Sequence, residues 1–262
     1  MANLTPQQRR QRALDVLAGM APAGGPTGVV ERLTADYGAL GEYAIDFGIG
    51  DIWSRPGLVP RDRSLAVISI LTTLPSVNAL RFHLAAGLGH GLKPSEIEEI
   101  MVQLGGYAGF PRALDGMRLA REVFTEQGIE PDRPSVAPPK DDDERRTDAR
   151  AVLAVMTANQ TLDYVGVDMG TFTGTAGRFA FGDLWAREEI SRRDRSLVVV
   201  STLTTQSKVD ELRFHLRVGM SHGLRVEELE ELMATAAVYV GFPTAVEGFR
   251  VLREVLADGG TS

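Results

Sequence analysis

The chain has 262 residues, 44% of them hydrophobic and 24% charged, with a net charge of −7 and no cysteine. This is the composition of a globular protein whose acidic surface repels phosphate backbones, which argues against nucleic acid as a partner. The missing thiols exclude disulfides, thiolate metal sites and cysteine redox chemistry, and no apolar run approaches the roughly 20 residues of a membrane span.

Residues 1–12 are polar and lack the apolar core of a signal peptide, so a cytoplasmic protein is expected. Helices are predicted over residues 4–19 and 29–47. Next comes Gly50-Asp51-Ile52-Trp53. Asp51 suits a helix cap or an ion pair; Trp53 suits either a core anchor or the wall of a pocket for a planar ring. Arg61-Asp62-Arg63-Ser64-Leu65 then opens an apolar segment, 64–74. Being apolar nearly all round, it reads as a central buried helix, although its β-branched residues also suit a strand. The charged opening is either a helix-start ion pair or a site where Arg63 grips a substrate carboxylate through its planar fork.

A helix over 76–90 should close at Gly91, in the C′ position. It carries His83 and, two turns later on nearly the same face, His90. Each imidazole has a structural reading (a buried ring bonded to a carbonyl, a helix-end ring favoured by the dipole) and a functional one. Ser95 is a candidate N-cap for a helix reaching Ala108, in which Tyr107 is placed to present its hydroxyl to the same cavity. Gly109-Phe110-Pro111 breaks that helix, and Pro111 suits the first position of a final one ending near Glu126. The proline-rich stretch 131–139 reads as an extended linker, dividing the chain into units 1–137 and 138–262. Beyond it, Asp141 to Glu144 suit the first turn of a helix continuing to Met156, and a further helix is expected across the Gly/Thr-rich stretch 166–177.

From there the chain repeats itself. Residues 47–123 and 179–255 align without a gap, and roughly half the aligned positions are identical. The copy keeps Asp183, Trp185, Arg193-Asp194-Arg195-Ser196-Leu197, His215, His222, Gly223, Tyr239 and Gly241-Phe242-Pro243. It differs in having Glu211, one turn before His215, where the first unit has Ala79. His83 and His90 are too far apart along one helix for easy joint ligation and no dense ligand cluster is present, so no metal is expected.

Gly50 to Leu58, Arg63 to Leu65, Leu80-Arg81-Phe82-His83 and Glu96 to Pro111 together resemble the carboxymuconolactone decarboxylase family, part of a wider superfamily with the AhpD-like alkylhydroperoxidases. The second unit matches nearly as well but has Glu188-Glu189-Ile190 for Pro56-Gly57-Leu58. The resemblance implies an all-α fold of two tandem helical units and a homo-oligomer, a trimer with pseudo-sixfold symmetry. Peroxidase activity would need the absent cysteines. The decarboxylase branch implies a Glu-x-x-x-His helix, present as Glu211 and His215, and a reaction without metal or organic cofactor, because a lactone substrate is its own electron sink. On that reading Arg63 and Arg195 hold carboxylates, and His83 or His215 delivers a proton with near-neutral basicity. Glu211 orients His215 and raises its pKa, while Trp53, Trp185, His90, His222, Tyr107 and Tyr239 line the substrate pocket. Two alternatives stand beside it: a tailoring enzyme performing proton transfer, cyclisation, isomerisation or hydrolysis on an aromatic or polyketide metabolite, and a non-catalytic scaffold binding a small acid.

Overall fold

The computed structural model describes residues 3–20, 24–130, 136–157 and 170–259. All regular structure among them is helical. The first unit comprises α1 (Pro6–Met20), α2 (Gly25–Tyr37), α3 (Ala39–Tyr43), a π-helical stretch (Ala44–Trp53), α4 (Pro60–Thr73), α5 (Val77–Gly89), α6 (Pro94–Tyr107) and α7 (Phe110–Glu126). The second comprises α8 (Asp142–Met156), α9 (Thr171–Gly177), a second π-helical stretch (Arg178–Leu184), α10 (Arg192–Thr205), α11 (Val209–Ser221), α12 (Val226–Val240) and α13 (Phe242–Gly259).

The strand alternative for 64–74 is excluded, because this segment forms the helix α4. In α4 every residue from Asp62 to Thr73 is buried, and α10 is buried from Asp194 to Thr204. A helix without a polar face is stable only where other helices enclose it. These two enclose each other: α4 packs on α10 and on α12, and α10 packs on α6. The two units therefore share one continuous core. The charged helix starts meet across this seam. Arg61 bonds Asp194 at 2.9 Å and Arg193 bonds Asp62 at 2.7 Å, so the expected ion pairs join the units as well as each helix start.

Local signals resolve in detail. Asp141 caps α8, accepting from the Asp143 and Glu144 amides at 2.9 Å. Gly91, Gly109, Gly223 and Gly241 take φ of 94°, 96°, 96° and 82° where chain reversal was expected, a region side-chain-bearing residues avoid. Ser95 is not the N-cap: α6 starts at Pro94, and Glu96 accepts from the Lys93 amide at 2.8 Å. The segment predicted as one helix over 29–47 is broken at Gly38, φ 54°. The linker residues 131–135 and residues 166–169 of the Gly/Thr-rich stretch lie outside the described residues; α9 covers most of the rest of that stretch.

In each π-helical stretch a glycine allows a terminal helix to close. A Cβ on Gly50 would lie 2.7 Å from the Arg9 carbonyl oxygen of α1, and one on Gly182 would lie 2.4 Å from that of Arg145 in α8. The ion pairs of Asp51 with Arg9 (2.8 Å) and Asp183 with Arg145 (3.1 Å) fasten the same contacts, which gives both aspartates a structural role. The tryptophans thereby enter the core from fixed positions.

Candidate active site

Helix α5 carries His83 and His90 toward Trp53. The indole stacks on His83, with ring centroids 5.4 Å apart and planes 16° from parallel, and meets His90 at 6.0 Å. Edge-on to His83 stands a phenol, and it comes from the other unit: Tyr239, at the end of α12. Its hydroxyl lies 2.8 Å from Trp53 Nε1 and 3.1 Å from His83 Nε2. The second cluster reproduces the first. Trp185 stacks on His215 at 5.7 Å and 11°, and the Tyr107 hydroxyl lies 2.7 Å from Trp185 Nε1 and 3.3 Å from His215 Nε2. Each site thus takes its tyrosine from the opposite unit. The expectation that Tyr107 faces the same cavity as the histidines of its own unit is corrected. Helix α6 packs on α10, not around its own α5, and a Cβ on Gly106 would come within 2.4 Å of Leu184 in the opposite unit.

Donor counting assigns the protons at the first cluster. Indole nitrogen can only donate, so the Tyr239 oxygen accepts from Trp53. The phenolic proton is then donated to His83 Nε2. A neutral His83 carries its own proton on Nδ1, a buried atom with no partner among the described residues. The surroundings favour neutrality. Burial, and secondarily the His90 ring, lower the pKa of His83 to about 3; burial and His222 lower that of His215 to about 3. Burial likewise pushes the Tyr239 phenol up, against the Trp53 hydrogen bond and the Arg63 charge. The expected near-neutral basicity of His83 and His215 is therefore not found, and His215 is driven down rather than raised by Glu211. Glu211 sits half-buried in the first turn of α11. Losing water around a charged ring outweighs what a helix neighbour can return.

His90 and His222 cap the C-termini of α5 and α11 and are only half-buried. Each Nδ1 lies 2.8 Å from a buried serine hydroxyl, Ser64 or Ser196. Burial lowers both rings; at His222 the charge of Arg192 acts in the same direction and the Arg192 backbone opposes it. The serines were missed in the sequence. Their signal was repetition, since Ser follows Arg-Asp-Arg in both copies, 26 residues before the histidine each time.

Arg63 and Arg195 do not face a pocket. Both are buried to within 1% of their surface. Arg63 donates to the Thr235 hydroxyl, to the Arg55 carbonyl at 2.8 Å and to Glu231 at 3.3 Å. Arg195 donates to Glu99 at 3.0 Å, Gln103 at 2.8 Å and the Arg187 carbonyl at 3.0 Å. Both clamp the loop after a tryptophan to a carboxylate of the opposite unit. Their place at the start of an apolar helix suggested an open mouth, but the partner unit covers it.

Trp185 also borders an open cleft of about 360 Å³, with Arg187, Glu188, Ser191 and Arg192 among its walls. It therefore both wards the core and walls a cavity, the two roles between which the sequence left a choice. Among the described residues, no three His, Asp or Glu side chains converge as metal ligands.

This duplicated architecture has relatives. The model of the carboxymuconolactone decarboxylase family matches residues 39–122 and again 172–254. The chain belongs to this family. A 4-carboxymuconolactone decarboxylase of Acinetobacter baylyi is 39% identical over 87 residues, 33% of the chain and 65% of that protein. The nitrosuccinic acid decarboxylase npaB of Metarhizium robertsii is 31% identical over 80 residues, 30% of the chain and 56% of that protein. The chain thus spans about two thirds or less of the length of these relatives. A crystal structure from Burkholderia xenovorans LB400, assigned as a gamma-carboxymuconolactone decarboxylase subunit, superposes with a TM-score of 0.58 at 19% identity. That superposition covers 97% of this chain and 100% of the other, and it bears on the fold. No helix among the described residues is long and apolar enough to cross a membrane.

Proposed function

We propose that the chain is a lyase of the decarboxylase type, acting on a small carboxylic acid that carries its own electron sink, at two sites each built from both units. The observation that carries this reading is the buried Trp–Tyr–His cluster, formed twice with the tyrosines exchanged. The named substrates of the two relatives share the required chemistry, a carboxylate together with an electron-withdrawing lactone or nitro group. In the reaction the bond to the carboxylate carbon breaks and its electron pair moves into the sink, leaving carbon dioxide. A solvent proton is then taken up by the resulting enolate or nitronate, for a butenolide at the carbon next to the lactone carbonyl. The neutral imidazole of His83, held at Nε2 by Tyr239, presents its Nδ1–H as a donor to the developing oxyanion. A preorganised neutral donor in a dry site stabilises such charge without itself ionising. His90 and His222, less buried and backed by serine, pass the proton inward from solvent.

The test is carbon dioxide release from 4-carboxymuconolactone and from nitrosuccinate. Activity should fall at least a hundredfold in the His83→Gln, His215→Gln double variant, the usual order for loss of an oxyanion donor. Full activity in that variant would overturn the assignment. A second reading, acid–base isomerisation, is favoured by Ala79 standing where the other unit has Glu211; it predicts deuterium exchange into substrate without carbon dioxide. The trimer also remains part of the proposal. Phe110 with Phe242, and Leu40 with Phe172, are exposed apolar residues at equivalent positions of the two units, as repeated subunit contacts would require. Light scattering should give the mass of three chains.

A further inference from the structure

We propose that Arg192 is the carboxylate anchor of the site containing His215, and that the two sites of one chain differ in the acids they accept. The inference rests on the decarboxylase reading only in taking the ligand to be a carboxylic acid. It starts from the cleft beside Trp185. Most charges around it are already neutralised. Arg187 is paired with Glu99 and Glu189, both at 2.8 Å, and Asp148 with Lys140 at 2.7 Å. Glu188 stands on the exposed rim. Arg192 lines the cleft, and its guanidinium has neither an ion pair nor a hydrogen bond among the described residues. It also lies close enough to His222 for its charge to act on that ring. An open cation and an indole wall at one cleft suit a small, flat or short-chain carboxylate, which a guanidinium binds through two parallel hydrogen bonds, and the same indole stacks on His215.

The comparison between units sharpens this. At an offset that pairs Trp53 with Trp185 and His83 with His215, Arg192 falls on Pro60, Ser191 on Val59 and Glu188 on Pro56. The reacting groups are the same in both copies, whereas the turn that faces the cleft has changed from apolar to charged. Specificity arises from such differences in wall chemistry around a common centre.

The probe is succinate, with succinamide as its uncharged counterpart. The chain has two tryptophans, so Trp53→Phe leaves Trp185 as the single indole reporter in the cleft wall. Succinate should quench its fluorescence saturably. Arg192→Gln should raise the Kd about 10- to 100-fold, the range for losing a hydrogen bond to a charged group, while Arg192→Lys should recover part of the loss and succinamide should bind weakly to all forms. Thermal melting gives a second measurement without altering Trp53: succinate should raise the Tm of the native chain and not that of Arg192→Gln. Equal succinate affinity with and without Arg192, or no succinate binding by the native chain, overturns the assignment. Neither measurement reads turnover, so a failure of the decarboxylase reading would show separately, as absent carbon dioxide release.

Discussion

Lowering the pH should dismantle this protein well before its carboxylates are neutralised. His83 and His215 have folded pKa values of about 3, against an ordinary 6.5, because burial penalises the charged ring. The unfolded chain therefore binds protons that the fold refuses. Their contribution to stability is complete above about pH 6.5 and is lost progressively as the pH falls toward 3. At pH 4.5 each imidazole costs the fold about 2.7 kcal/mol and the two together about 5 kcal/mol, from 1.36 kcal/mol per tenfold change in proton binding. That is comparable to the whole stability of many domains, about 5–15 kcal/mol. His90 and His222, lowered by burial, add in the same direction. Urea unfolding followed from pH 7.5 to 4.5 should show the midpoint falling steeply below pH 6.5. Unfolding at pH 5.5 in weak buffer should take up about two protons for His83 and His215. His83→Gln, which preserves a polar partner for Tyr239, should remove about one of them. A midpoint independent of pH between 7 and 5, or NMR titration of either ring near 6.5, would refute the argument that these imidazoles are held neutral.

Two further perturbations test the crossed architecture. Tyr239→Phe leaves the Trp53 indole N–H and His83 Nε2 without their partner in the interior, and should cost about 1–3 kcal/mol in urea unfolding. Because Tyr239 serves His83 and not His215, its effect on turnover should be non-additive with His83→Gln and additive with His215→Gln; the reverse pattern would place each tyrosine in its own unit. Glu99→Gln removes the counter-charge from buried Arg195 and from Arg187, and should destabilise by about 3–5 kcal/mol. A loss below about 1 kcal/mol would mean that Arg195 is not a buried clamp.

The family, the helical architecture and the duplication were legible in the residues because they depend on local signals. Gly91 and Gly109 end helices by a backbone conformation that any tertiary setting must accommodate. The recurrence of His83 as His215 and Trp53 as Trp185 marked the right side chains without any coordinates. Roles were harder to read. Arg63 and Arg195 had the chemistry of carboxylate receptors, and only their burial beneath the opposite unit revealed that Glu231 and Glu99 are their carboxylates. Ser64 and Ser196 gave no signal beyond their repetition, because their importance lies in a hydroxyl 2.8 Å from a ring on another helix.

Periodicity and spacing determined which side chains share a helix face, since 3.6 residues per turn place His83 and His90 together wherever the helix goes. Tertiary structure alone decided that His83 and His215 each meet a tyrosine from the other unit and are held uncharged. Two homologous units satisfy every local rule equally well whether their helices pair within a unit or between units. The choice is made by the packing of α4 on α12 and α10 on α6, and the loss of water that sets the charge of a ring follows from that packing.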